Sequence, residues 1–143
     1  MNYSFFGTCF KDHKYAKNCI LSILHQSIKP KEIIIIDSGN SRKFKKWFIK
    51  KTTENKITPI YSNEVIPRVV ALNKAIKSSK SKYLMRFDSR SIFPINYAFH
   101  CLEQLKKGYK IVGGVAIADC DENNFQANLC KIVMNSSYTF GYP

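Results

Sequence analysis

Tyr83-Leu-Met-Arg-Phe-Asp-Ser-Arg-Ser91 is an apolar run that ends abruptly in Asp88 and continues into small and cationic residues. It reads as a buried strand delivering a carboxylate to a ligand site, because open α/β sheets bind ligands beyond the carboxyl ends of their strands, at a topological switch point. Glu32-Ile-Ile-Ile-Ile-Asp37-Ser-Gly-Asn40 repeats the pattern. A continuous apolar run of this length is typical of a strand covered on both faces, and it too ends in acid. Either Asp alone has an ordinary reading as a helix N-cap or a turn residue. If the two strands are parallel, however, both carboxylates lie on one edge of the sheet.

Outward from these strands the apolar spacing alternates between two periods. Tyr3 to Phe6 reads as a strand, while Ala16, Ile20, Ile23 and Leu24 follow a helical spacing in a region that Pro30 closes. Ser41 is placed to cap a helix whose Phe44, Trp47 and Phe48 form one apolar stripe. Ile57 to Tyr61 predicts a short strand, Pro67 suits a first helical turn, and Leu72, Ala75 and Ile76 give a helical face ahead of strand 83–87. Pro94 opens a further helix with Ile95, Ala98, Phe99, Leu102 and Leu105 inward, and Gly108 ends it. Ile111 to Ala118 predicts a fifth strand, where Gly113-Gly114 marks a bulge or a close backbone approach. Phe125, Leu129, Ile132 and Val133 mark a last helix. Strands alternating with helices in this way predict an α/β fold: a doubly wound, mostly parallel sheet with helices on both faces, in one domain over residues 1–143. Phe140-Gly-Tyr-Pro143 brings no closing strand, so the domain reads as cut short.

The formal net charge is +13, from 23 Lys and Arg against 10 Asp and Glu, which points to an anionic partner. Nucleic acid, acidic lipid and a sugar nucleotide all satisfy that charge. The run Arg42 to Lys51 interleaves bases with aromatics, as nucleic-acid and membrane-surface binders do. Its aromatics share one helical face, which favours a core-packed helix with a solvated basic side. That basic side suits anionic lipid, at about 1 kcal/mol per cation near the surface. Neither Gly-x-Gly-x-x-Gly nor Gly-x-x-x-x-Gly-Lys-Ser/Thr occurs, which argues against a classical dinucleotide or triphosphate loop. Cys9, Cys19, Cys101, Cys120 and Cys130 form no Cys-x-x-Cys pair, and His13, His25 and His100 do not join them at metal-ligand spacings. They read as buried, reduced thiols of a cytosolic protein. The opening residues lack the features of a signal peptide, and no stretch approaches the roughly 20 apolar residues of a membrane span, so any membrane contact is expected to be peripheral.

In their order and spacing these residues resemble a family 2 glycosyltransferase domain, the nucleotide-sugar-binding GT-A fold, and most closely its bacterial succinoglycan and exopolysaccharide-biosynthesis branch. Tyr3-Ser-Phe-Phe-Gly-Thr-Cys-Phe10 is similar to the family's opening strand and nucleotide-contacting turn, which implies donor contacts for Thr8 and Phe10. Gly7 stands there in place of the usual proline. Tyr15 to Ser41 resembles the first helix and second strand, implying that Asp37 faces the nucleobase side. Ala71-Leu-Asn-Lys-Ala-Ile-Lys77 looks like the helix before the metal strand, with Arg68 placed as a donor-contacting base. Met85 to Tyr97 resembles the Asp-x-Asp region, and Val112-Gly-Gly114 and Asn135 to Gly141 resemble later signatures.

The resemblance implies a divalent cation, Mg²⁺ or Mn²⁺, on Asp88 against the donor diphosphate. The third position of that motif is Arg90, which cannot ligate a hard cation and is suited to pair with a diphosphate oxygen directly. The implied activity is inverting transfer of a sugar from a nucleoside diphosphate to a saccharide or lipid-linked acceptor hydroxyl, in cell-surface polysaccharide or lipopolysaccharide synthesis. The expected location is cytoplasmic, with peripheral contact at the cytoplasmic face of the membrane left open, and no nucleic-acid partner is expected. The family's general base would lie downstream of Gly141, so binding is expected more than turnover. Asp119, Asp121 and Glu122 read as capping or solvent-facing residues. Two other readings predict different behaviour. A non-catalytic basic adaptor for a membrane or partner would be indifferent to Asp88→Ala, and a nucleic-acid binder using residues 42–51 would weaken steeply with salt.

Overall fold

The computed structural model describes residues 2–120 and 124–136. In chain order the elements are β1 (Tyr3–Cys9), α1 (His13–Leu24), β2 (Glu32–Asp37), α2 (Arg42–Glu54), β3 (Thr58–Asn63), α3 (Arg68–Ser78), β4 (Tyr83–Asp88), α4 (Tyr97–Lys106) and α5 (Phe125–Met134). The four strands form one sheet in the order β3-β2-β1-β4, and every pairing is parallel. The chain divides into two compact units, Met1–Gly108 and Tyr109–Pro143.

Within the first unit β2 is central, and all six of its residues are buried. Strand alternation sends its side chains to two apolar layers. Phe6, Ile34 and Ile36 meet Ala71 and Ala75 of α3, with Ile60, Ile66 and Leu72 at the rim. On the opposite face, alternation directs Phe5, Ile33, Ile35, Met85 and Phe87, also buried, toward the layer of α1 and α2. The helices α1 and α2 present Ala16, Cys19, Ile20, Ile23, Phe44 and Phe48 as their buried stripes. Pro59 lies in β3, where an edge position spares it a second ladder partner. Ser41 caps α2 as its position predicts, its Oγ accepting from the Phe44 N–H at 3.2 Å. Below the sheet, buried Glu32 accepts from Ser4 Oγ, Ser79 Oγ and the Lys80 N–H, tying β1, β2 and the α3–β4 turn together.

Four details depart from the sequence reading. β4 is an edge strand, so Arg86 and Leu84 are exposed on one face while Met85 and Phe87 are buried on the other. Pro67 is the N-cap of α3 rather than a residue of its first turn. α4 begins at Tyr97, and it turns Ala98, Cys101 and Leu102 inward, leaving Ile95 and Phe99 exposed. Gln26 fixes this register: its amide donates to the Pro94 carbonyl at 2.7 Å and accepts from the Ala98 N–H at 2.9 Å. Residues 111–118 form no strand, and Ile111, Val115 and Ile117 are exposed. The second unit offers them no ladder partner among the described residues, and the Gly pair weakens any intrinsic strand preference. Instead the Asn135 side chain accepts from the Ala118 N–H at 2.7 Å and donates to its carbonyl at 2.9 Å. The last helix forms as α5, and Asp119, exposed, pairs with Lys131. Asp121, Glu122 and residues 137–143 lie outside the described residues.

Gly7 is fixed by contact. A Cβ there would sit 2.6 Å from the Phe87 carbonyl oxygen and 2.7 Å from its ring. We expect Gly7→Ala to lower stability by about 1–3 kcal/mol through overpacking, read as a shift of the urea midpoint with unchanged slope.

Candidate nucleotide-binding site

Parallel pairing sets the functional side chains at one sheet edge. Cys9 is in register with Asp37, Asp37 with Asn63, and Thr8 with Asp88. Both strand-terminal carboxylates therefore share the carboxyl edge, and β1 lies between them. Alternation sends them to opposite faces: Asp37 toward α1, Asp88 toward the start of α3.

Asp37 is completely buried, and four side-chain or backbone donors surround it. Tyr61 donates its hydroxyl to Oδ2 at 2.5 Å. The Gly39 N–H donates to Oδ1 at 2.8 Å and the Ser41 N–H to Oδ2 at 3.3 Å. His13 Nε2 lies 3.0 Å from Oδ1 and 3.1 Å from Oδ2, so an ionised Asp37 requires the ring to carry its hydrogen on Nε2. Burial alone would raise the Asp37 carboxyl, but these donors outweigh it and hold the group below its ordinary value. Burial, then the Asp37 carboxylate, raises the Tyr61 phenol, which stays a donor. The loop after β2 comes close: a Cβ on Gly39 would lie 2.8 Å from both His13 Cε1 and the Lys11 nitrogen. Lys11 and Asn40, in the two loops that meet here, both adopt left-handed backbone, at φ 58° and 53°. Non-glycine residues there carry strain that the surrounding hydrogen bonds must offset.

A group whose folded pKa lies below its unfolded value stabilises fully above the unfolded value and loses that contribution as pH falls through the folded one. Asp37 and buried Glu32 are both of this kind, Glu32 because its Ser4, Lys80 and Ser79 donors outweigh burial. Stability should therefore hold steady from neutral pH to roughly pH 5 and decline as pH drops further. Urea midpoints across that range check it, and Asp37→Asn should flatten the acid limb.

Asp88 sits in a different environment. It is half-exposed and takes hydrogen bonds from Arg68 Nη2, at the first residue of α3, and from Arg86 Nη2 at 3.0 and 3.2 Å. Arg90 is close by in sequence but turned elsewhere. Its Nε and Nη2 donate to Asp12 at 3.2 and 3.1 Å, and its guanidinium lies 5.1 Å from the Tyr15 ring centre. Asp12 occupies the N-cap of α1 without capping it, because its carboxylate is committed to Arg90. Phe10 projects an exposed ring just past β1, with Lys11 Nζ 5.2 Å from the ring centre, and Thr8 is half-buried between Ile36 and Asp88.

The donor residues read from the sequence thus fall at one edge, with Asp37 on one side and Arg68 and Asp88 on the other. His13, Tyr61 and Arg86 were not foreseen. Arg86 carried a period-two signal, since it shares a strand face with Asp88, whereas nothing local to His13 or Tyr61 marks them. The thiols differ too: Cys9, Cys19 and Cys101 are buried, but Cys120 is partly exposed and Cys130 exposed. Folding also joins Cys9 and His13 to Asp37, their ligating atoms within 4.8 Å of one another, close enough to share a cation. As they stand, burial pushes the Cys9 thiol up to about 12, and the Asp37 oxygens are engaged by hydrogen bonds.

A wholly parallel sheet with helices on both faces, gathering carboxylates and cations at its carboxyl edge, defines a Rossmann-like α/β protein of the GT-A type. The chain belongs to glycosyl transferase family 2, whose model matches residues 4–140. It is similar to the poly-beta-1,6-N-acetyl-D-glucosamine synthase of Staphylococcus epidermidis, 27% identical over 110 residues that cover 76% of this chain and 26% of that protein. Among solved structures it resembles S. aureus TarS 1–349, with a TM-score of 0.63 and 15% identity, over 82% of this chain and 39% of that one. The same TarS fragment in complex with UDP gives a TM-score of 0.62 at 16% identity, over 82% and 39% of the two chains. Its complex with UDP-GlcNAc gives 0.62 at 15%, over 82% and 38%. At these identities the likeness to TarS establishes the fold. The chain spans about a quarter of its curated relative and about two fifths of the TarS fragment.

Proposed function

We propose that this chain binds a nucleotide-diphosphate sugar and serves inverting transfer of the sugar to an acceptor hydroxyl in cell-surface polysaccharide or lipopolysaccharide synthesis. One observation carries the reading: Asp37, Asp88 and Arg68 converge on the carboxyl edge where β1 separates β2 from β4, the switch point of a parallel sheet. Asp37, already accepting from Gly39 and Ser41, lies on the base side, with the exposed Phe10 ring as a stacking surface. Thr8, Asp88 and Arg68 lie on the phosphate side. Relatives that bind UDP and UDP-GlcNAc on the same fold support a uridine donor. Calorimetric titration with UDP, UDP-GlcNAc and GDP tests this. Saturable binding by one base series, lost in Asp37→Ala that still folds, is the expected result, and no binding by any of them would refute it.

A second reading rests on α2. Arg42, Lys43, Lys45, Lys46 and Lys50 are exposed, while Phe44, Phe48 and Thr52 face inward, giving the helix a cationic outer side. That side supports peripheral contact with anionic lipid on the cytoplasmic face of a membrane, alone or alongside donor binding. No helix among the described residues is long and apolar enough to cross a membrane. Cosedimentation with phosphatidylserine vesicles, lost when Lys43, Lys46 and Lys50 become Gln, is the expected outcome. Equal pelleting of wild type and variant would refute it.

A further inference from the structure

The residues around Asp88 do not fit a divalent cation. A hard cation of this kind needs several oxygen ligands, and no group of three acidic, histidine or cysteine side chains among the described residues includes Asp88. The single group of three ligating side chains among them is Cys9, His13 and Asp37, on the other face of the sheet. The position that would supply a second carboxylate is Arg90, and Asp12, the acid nearest to it, is bound by that same arginine. What surrounds Asp88 is cationic: Arg68 from α3 and Arg86 from its own strand.

From this we infer that the chain holds the donor diphosphate on arginine, not on a metal. Arg68 and Arg86 are the binding groups, and Asp88 is the shared carboxylate that positions them. The inference rests on the donor-binding reading above and names how that site meets its phosphates. Each guanidinium spends only Nη2 on Asp88, whereas it carries five N–H donors in a rigid fork suited to phosphate oxygens. Both side chains are at least half open to solvent, at 60% for Arg68 and 50% for Arg86. Within the first unit β4 is the edge strand of the sheet, and Arg86 lies on its exposed side. α3 starts at Arg68 without a side-chain cap, so its amino end adds positive potential at the same place. Thr8, in register with Asp88, supplies a hydroxyl between the two halves of the site. Arg90, clamped by Asp12 and resting on Tyr15, braces the β4 turn against the start of α1.

The test is calorimetry on the full chain with UMP, UDP and GDP, in EDTA and again in MnCl₂. UDP should bind equally well in both buffers. Arg86→Gln and Arg68→Gln should each weaken UDP about tenfold, the loss of one charge-assisted hydrogen bond, while changing UMP far less. Arg90→Asp supplies a second carboxylate to the turn and should make UDP binding respond to Mn²⁺. UDP binding that EDTA abolishes and Mn²⁺ restores in the wild type would overturn the inference while leaving donor binding intact. So would arginine variants with unchanged UDP affinity and a native thermal melt. If no nucleotide binds in either buffer, the donor reading itself falls, and this inference with it.

Discussion

Asp37→Ala should cost this protein about 3–5 kcal/mol, the scale seen when one partner of a buried charged cluster is removed. The carboxylate is fully buried, and four groups are oriented toward it: the Tyr61 hydroxyl, the Gly39 and Ser41 amides and His13 Nε2. Truncation leaves those donors facing a small void, and each buried donor without an acceptor costs about 1–3 kcal/mol. The losses will not sum, because a water can enter and the loop can relax. For a domain whose net stability is about 5–15 kcal/mol, the remaining margin is thin. Asp37→Asn separates shape from charge. It keeps the volume and one acceptor oxygen but sets an NH₂ toward a cluster in which the Gly39 and Ser41 amides can only donate, so an intermediate loss is expected. Urea unfolding gives the ranking wild type, Asn, Ala. Equal stability of Asn and wild type would mean that the charge contributes nothing to the fold.

Phe44→Ala should be comparably damaging, by about 3–5 kcal/mol, for a different reason. Phe44 is 1% exposed, and its ring centre lies 5.0 Å from His13, 5.9 Å from Trp47, 6.3 Å from Phe48 and 6.4 Å from Tyr61. It is the wedge between the two side chains that hold Asp37. Removing it leaves a cavity and frees His13 and Tyr61 to turn, so the variant should also bind nucleotide more weakly even below its melting temperature. A double-mutant cycle with Tyr61→Phe measures the link. A coupling energy of about 0.5–3 kcal/mol is expected for groups sharing one packed cluster, and strict additivity would show that core and carboxylate are independent.

The parts of this structure that are legible in the sequence are those written in local pattern. Ile33 to Ile36 followed by Asp37 announces a central strand and its terminal acid, and Ser41 three residues before Phe44 announces the cap of α2. What pattern does not encode is which strand lies at the edge. Leu84, Met85 and Phe87 read as an interior strand, and only the observed order β3-β2-β1-β4 exposes Arg86 beside Asp88. The side-chain partners of Asp37 come from 24 residues before it and 24 residues after it, a separation at which no local periodicity survives. The unformed strand at 111–118 fails for the converse reason: its pattern is suitable, but a ladder needs a neighbour, and intrinsic preference alone is too weak to order it.

Among the described strands, β1 alone pairs with both β2 and β4. The turn at 37–41 and the turn at 88–91 therefore hang from a common rail without sharing a ladder bond. A side chain in either turn can therefore be exchanged without breaking a ladder bond of the other. A substitution at Arg90 is confined to one turn, and the buried hydrogen-bond cluster around Asp37 lies on the far face of the sheet. The two halves of this edge are separable because they meet across a single strand.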